Sequence, residues 1–260
     1  MDRLKDIAVF TRQEFRNPTI IEPASRIDKV WDHLIDIIRT YKPGVIIKAG
    51  LGSGEILARL AEAADAYIAV VEPSEDTIRE FIARHNGGSI LEKIHFIIGE
   101  FNRFPIDYYA ADLLVCVDYL EFLESGPVID EFRRSLQFEG ILFIAGPVLN
   151  DEDIEGLYDD FMRIAFPLHN DYYLREDLKT FLDLNEFTFV KGTIENLPAD
   201  LAKRTAQFDT FFSGTADRAY AFLEEHRDSF ASLYHLDGTI IAEPYYLAVF
   251  MRRKPPKPGT

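Results

Sequence analysis

The chain has 260 residues, 47% of them hydrophobic and including 21 Phe and 12 Tyr, which is ample material for the core of one α/β domain and excludes disorder for most of its length. A net charge of −16 opposes a phosphate backbone, since nonspecific nucleic-acid affinity comes from Lys and Arg displacing counterions, so no nucleic-acid partner is expected. The one cysteine, Cys116, allows no internal disulfide, and Met1-Asp2-Arg3-Leu4-Lys5-Asp6 lacks the apolar core of a signal peptide; with no run of about 18 apolar residues, a cytoplasmic protein with no membrane contact is expected.

The first 43 residues read as a helical extension, with helices at about 2–16 and 24–41 separated by Asn17-Pro18. Ile27, Val30, Trp31, Leu34, Ile37 and Ile38 recur at helical spacing and form one apolar face, suited to covering a sheet or roofing a ligand. Strands are expected at 45–49, 67–72, 94–99, 112–117, 141–146, 187–194 and 245–251, with helices near 54–63, 75–86, 127–137, 151–165 and 174–184. Near-continuous apolar strands alternating with amphipathic helices imply a mostly parallel sheet covered on both faces. Residues 195–244 form an aromatic insert, helical over about 216–233, which suits core packing, an active-site cap or a homodimer face. The tail 253–260 is expected to be disordered.

The most informative stretch is Val45-Ile46-Ile47-Lys48-Ala49-Gly50-Leu51-Gly52-Ser53-Gly54-Glu55, followed by Ile68-Ala69-Val70-Val71-Glu72-Pro73. It reads as strand, glycine-rich turn, helix start, and a second strand ending in an acid. Glycines at such a turn permit positive φ and let backbone approach a ligand closely, and an acid at the next strand tip can accept both hydroxyls of a ribose. In doubly wound sheets ligands bind beyond the carboxyl ends of the strands, where Gly50, Gly52, Gly54, Glu72, Glu100 and Asp118 all fall. Glu55 stands where a dinucleotide fingerprint needs its third glycine, which disfavours a nicotinamide-dependent oxidoreductase.

The G-x-G-x-G turn, with an acid 18 positions after its last glycine, resembles the class I S-adenosylmethionine-dependent methyltransferases, of the type 11/12 kind. Three further stretches are similar to that family in the same order: Phe96-Ile97-Ile98-Gly99-Glu100-Phe101, 111–123 around Asp118-Tyr119, and 132–144 around Glu139-Gly140. The resemblance covers about 44–194 plus the last strand. It implies a three-layer Rossmann-like fold, a seven-stranded mostly parallel sheet with an antiparallel last strand, over about 44–252. It further implies that S-adenosyl-L-methionine is the cofactor, with Gly50, Gly52 and Gly54 admitting the methionyl portion, Glu72 the ribose, Glu100 and Phe101 the adenine, and Asp118 beside them. A methyl group would pass to a small-molecule acceptor.

Two positions depart from that family. Lys48 replaces the acid usual two residues before the first glycine; unless it points away, its expected partner is Glu55 or Glu72. Phe122 replaces a frequent histidine, so no general base carries over there. Acceptor contacts are sought instead at Asp118, Tyr119 and His169, the last because its ordinary pKa lies near neutrality. No metal is expected: the fifth strand ends in Ala145-Gly146-Pro147, and Asn150-Asp151 suits a helix N-cap. The alternative function is a noncatalytic binding or interaction protein that retains a degenerate site.

Overall fold

The computed structural model describes residues 3–255. Helices α1 (Arg3–Arg16) and α2 (Ala24–Tyr41) precede β1 (Val45–Ala49), α3 (Glu55–Ala63), β2 (Tyr67–Glu72), α4 (Glu75–Arg84), β3 (Ile94–Ile98), β4 (Ala111–Val117), α5 (Ser125–Ser135) and β5 (Leu136–Pro147). After them come α6 (Leu157–Ala165), α7 (Arg175–Leu184), β6 (Phe187–Asp200), α8 (Leu201–Asp209), α9 (Thr215–Glu225), α10 (Arg227–Tyr234) and β7 (Ile240–Arg252). The seven strands form one sheet in the order β3-β2-β1-β4-β5-β7-β6. β7 runs antiparallel to both β5 and β6, while the pairs from β3 to β5 are parallel, as expected from the sequence.

Two apolar cores cover the two faces of this sheet. Period-2 alternation sorts β4 between them, Leu113, Val115 and Val117 to one face and Leu114 and Cys116 to the other. On the first face α2 buries Ile27, Val30, Leu34, Ile37 and Ile38, so its stripe covers the sheet. On the other lie α5, α6 and the helices after β6. α1 joins the two cores, giving Ile7 and Phe10 to one and Phe15 to the other. It thus crosses the carboxyl edge of the strands, where Thr11 meets the tip of β2.

Several boundaries differ from expectation, each for a local reason. β6 and β7 pair continuously from Phe187↔Arg252 to Asp200↔Ile240, a hairpin far longer than the apolar pattern marks, so the insert is 201–239 rather than 195–244. Its expected helix 216–233 is two helices, broken at His226. The helix expected to run to 137 stops at Ser135, because Leu136 already pairs with Ala111. Residues 151–156 form a turn and α6 starts at Leu157, where the Asp153 carboxylate accepts the Leu157 and Tyr158 N–H groups at 2.8 and 3.0 Å. Asp153 therefore does the capping expected of Asn150-Asp151; Asn150 is spent on the Leu233 carbonyl and the Glu152 N–H.

The insert is mostly core. Phe208, Leu223, Phe230 and Tyr234 are buried against α6 and the sheet, Phe208 stacking on Phe166 with ring centroids 4.0 Å apart. In the stretch expected to be disordered, Arg253 and Lys254 pair with Asp183 and Glu139, while 256–260 lie outside the described residues. No helix among the described residues is long and apolar enough to cross a membrane.

Candidate active site

β1 alternates like its neighbours, and that alternation puts Lys48 on the face of Ile46, under α2 and α3, with no solvent exposure. A buried ammonium needs a countercharge and acceptors. Lys48 Nζ donates to the Gly50 carbonyl at 2.8 Å and pairs with Glu22 Oε1 at 2.5 Å. Its partner is therefore not one of the acids near in sequence. Glu55 is exposed and bound to Arg59, and Glu72 makes other bonds. Glu22 arrives from the α1–α2 connection, and its Oε2 accepts the N–H and hydroxyl of Ser53 at 3.2 and 3.1 Å.

The glycine-rich turn accommodates these protein groups. Gly50 and Gly52 have φ of 76° and 62°, a region costly for other residues. A Cβ on Gly52 would stand 2.3 Å from the Glu22 carboxylate, and one on Gly50 would stand 2.1 Å from the Tyr119 ring. The Tyr119 hydroxyl accepts the Gly52 N–H at 3.1 Å. Gly54 takes a third close neighbour, the ring of Phe81.

Glu72 lies at the tip of β2, as the sequence indicates, but is fully buried. One oxygen accepts the Thr11 hydroxyl and the Ser74 N–H, each at 3.0 Å, and the other accepts the Leu51 N–H at 2.9 Å. Burial pushes its carboxyl above the ordinary value, against those three hydrogen bonds and the nearby charge of Lys48. Asp118, at the tip of β4, has φ of 54°, accepts the Glu22 N–H at 2.9 Å and pairs with Arg26 at 2.8 Å.

Arg26 opens a buried ionic cluster that nothing in the sequence marks. It also pairs with Glu243 of β7, which pairs in turn with Arg204 of α8 and accepts from Tyr158. Burial raises the Glu243 carboxyl, but the two guanidiniums outweigh it and hold it at about 2. Beside them burial and then Asp118 push Glu121 up to about 8, so near neutrality Glu121 carries its proton. Two guanidiniums then face two carboxylates, Asp118 and Glu243, and the cluster is balanced.

The adenine end expected at Glu100 and Phe101 looks different. These residues line a cavity of about 220 Å³ together with Ile7, Pro73, Phe122 and Val128. Glu100 is exposed and Phe101 is buried, its ring 4.9 Å from that of Tyr119. His169, the candidate base, follows α6 and does not line this cavity. Its ring is buried with Nε2 2.7 Å from Asp159, and burial lowers its pKa despite that carboxylate. Among the described residues no group of three or more His, Cys, Asp and Glu is arranged to hold a metal ion.

Sequence reasoning brings together Gly50, Gly52, Gly54, Glu72, Asp118 and Tyr119 at one edge, with Glu100 and Phe101 beside them. It misses Thr11, Glu22, Arg26 and Glu243. One signal existed for Glu22. A lone acid in Ile20-Ile21-Glu22-Pro23 and a lone lysine in Ile46-Ile47-Lys48-Ala49 are complementary oddities, each an ion in an apolar run.

A parallel sheet in this strand order, with a G-x-G-x-G turn after β1 and an acid closing β2, defines the architecture of the class I methyltransferases. Residues 47–144 match the family model of a methyltransferase domain. An uncharacterized methyltransferase of Bacillus velezensis is 27% identical over 173 residues, which span 65% of this chain and 74% of that protein. Two solved structures share the fold. One is an S-adenosylmethionine-dependent methyltransferase from Geobacter sulfurreducens in complex with S-adenosyl-L-homocysteine, 18% identical with a TM-score of 0.59, covering 97% of this chain and 99% of that one. The other is the geranyl diphosphate C-methyltransferase from Streptomyces coelicolor, in complex with Mg2+, geranyl diphosphate and S-adenosyl-L-homocysteine, 14% identical with a TM-score of 0.62 and the same coverage. Residues 47–144 thus match a methyltransferase domain, and the chain shares the fold of these methyltransferases.

The family cofactor fits this conformation only in part. A space of 220 Å³ is below the roughly 300–1,000 Å³ of a whole small-ligand site, and takes one ring system. The groups that the resemblance assigns to the ribose and amino-acid portions are engaged by Thr11, Glu22 and Tyr119.

Proposed function

We propose that this protein transfers a methyl group from S-adenosyl-L-methionine to a small-molecule acceptor. The observation carrying this reading is the alignment, along one sheet edge, of the glycine-rich turn, the Glu72 strand tip and a ring-sized cavity beside Glu100 and Phe101. The Streptomyces and Geobacter structures, both holding S-adenosyl-L-homocysteine, support it by analogy of fold, and the former's geranyl diphosphate supports a small acceptor. The net charge of −16 argues against nucleic acid as acceptor. In this reading Glu72 holds the ribose, and Glu100 with Phe101 the adenine. An activated methyl needs chiefly positioning and exclusion of water, and the buried surroundings of Asp118 and Tyr119 suit that role.

A second reading, a noncatalytic member of the family, is favoured by one specific observation: Glu22 and Lys48 fill the turn with an internal ion pair. Calorimetry with S-adenosylmethionine, S-adenosylhomocysteine and NAD, followed by labelled-methyl transfer to a panel of small acceptors, separates the two. Binding with turnover is expected. Tight binding without transfer to any acceptor favours the second reading, and binding to NAD alone defeats both.

A further inference from the structure

The connection between α1 and α2 is held in place at unusual conformational cost. Glu22 has φ of 51° and precedes Pro23, a position where a non-glycine residue in the left-handed region is strained. Such a conformation persists only where its surroundings over-determine it. Here the Glu22 N–H is held by Asp118, and the side chain by Lys48 and Ser53. Behind it Glu14 accepts the N–H groups of Thr19, Ile20 and Ile21 at 3.0, 2.8 and 2.9 Å, so the connection is a preformed loop rather than a loose one.

The chemistry around the Glu22 carboxylate is that of an anion site: an ammonium, a backbone N–H and a hydroxyl, at a turn whose Gly52 leaves room for no side chain of its own. Lys48 makes sense in the same terms. A cation in β1 is unfavourable beside a sulfonium and favourable beside a carboxylate.

We propose that Lys48 and Ser53 form a carboxylate niche at the glycine-rich turn, that Glu22 is its resident occupant, and that a ligand carrying a carboxylate on its amino-acid end binds by displacing Glu22. The α1–α2 connection then lifts from the turn, and Thr11 leaves Glu72. This rests on the cofactor reading above, in which the amino-acid end of the ligand approaches the turn. The niche makes binding a competition between an internal and an external carboxylate, so the free protein is self-inhibited.

The test uses the full chain and two ligands, S-adenosylhomocysteine and 5′-methylthioadenosine, the second lacking the amino-acid end. Hydrogen exchange of the Thr19, Ile20, Ile21 and Glu22 amides is followed with each, and affinities are measured for wild type, Glu22→Ala, Glu22→Gln and Glu22→Ala/Lys48→Met. S-adenosylhomocysteine should speed exchange at those amides, whereas 5′-methylthioadenosine should leave it unchanged. Glu22→Ala should bind S-adenosylhomocysteine about tenfold more tightly, Glu22→Gln should fall between, and adding Lys48→Met should reverse the gain; 5′-methylthioadenosine affinity should not follow this series. Should Glu22→Ala fail to fold, Glu22→Gln and the wild-type exchange carry the test. Binding of S-adenosylhomocysteine with those amides still protected and no gain in either Glu22 variant overturns the niche and leaves the cofactor reading intact. Absence of binding by every variant overturns both.

Discussion

Glu72 illustrates how burial changes the meaning of a site residue. Read from sequence, a strand-tip acid contributes little to the core, and its loss should touch only ligand binding. In the structure it is fully buried and ties α1, the glycine-rich turn and the start of α4 together through Thr11, Leu51 and Ser74. Glu72→Ala leaves the buried Leu51 and Ser74 N–H groups without their acceptor, while the Thr11 hydroxyl keeps the Ala8 carbonyl at 3.1 Å, so it should lower stability by about 3 kcal/mol, whatever it does to the ligand. Urea denaturation checks this, and a midpoint unchanged from wild type would show that water replaces the carboxylate. Glu121 predicts a pH effect of definite sign. Its folded carboxyl is pushed up to about 8 from an ordinary 4.5, so the stability it contributes is fully present below about 4.5 and is lost as pH rises to about 8. Glu121→Gln mimics the protonated form. The variant should match wild type in acid and become progressively more stable than it between those limits, as read from denaturation midpoints across the range; parallel curves would mean that Glu121 titrates normally.

At the scale of elements, the ionic cluster couples chain segments remote in sequence. Arg26 at the start of α2 bridges Asp118 of the β4 tip and Glu243 of β7, all three buried. Removing the cation leaves two carboxylates opposed by Arg204 alone. Arg26→Met should cost about 3–5 kcal/mol, the usual penalty for breaking a buried pair from one side. Thermal unfolding gives the answer, with a loss under about 1 kcal/mol pointing to solvent reaching the cluster. The same cluster marks where the sequence stops being legible. Periodicity and glycine spacing locate β1–β4, α2 and α7 nearly to the residue, because those signals are local. The long β6–β7 arms are missed because Pro198 and Pro244 and the acids Glu195, Asp200 and Glu243 interrupt the apolar pattern of 195–200 and 240–244, and only their pairing with each other makes them strands. Glycines and acids at the strand ends were readable because a G-x-G-x-G turn after an apolar strand and an acid closing the next one are local signals. Their actual neighbours Thr11, Glu22 and Arg26 were not, because a contact across 61, 31 or 92 positions leaves no periodic trace.

At the scale of the molecule, α1 and the insert close the sheet edge from two sides, and they touch. Phe166 stacks on Phe208 of α8 at 4.0 Å and meets Phe10 of α1 at 4.7 Å, while Gln207 of α8 bonds Glu14 at 2.5 Å. The segment carrying Glu22 is therefore backed by the insert, and loosening one should loosen the other. Phe208→Ala removes a fully buried ring and should cost about 3–5 kcal/mol, part transfer and part cavity, with the exact value set by how far α8 and α9 collapse into the space. More informative is where the loss spreads. If the aromatic chain transmits it, native-state hydrogen exchange in Phe208→Ala should accelerate in α1 and at 17–23 as well as in α8, while α3, whose buried apolar residues lie on the other face, stays protected relative to the new global stability. Acceleration confined to 201–239 would mean that the insert opens as an independent unit and that α1 holds the sheet edge without it.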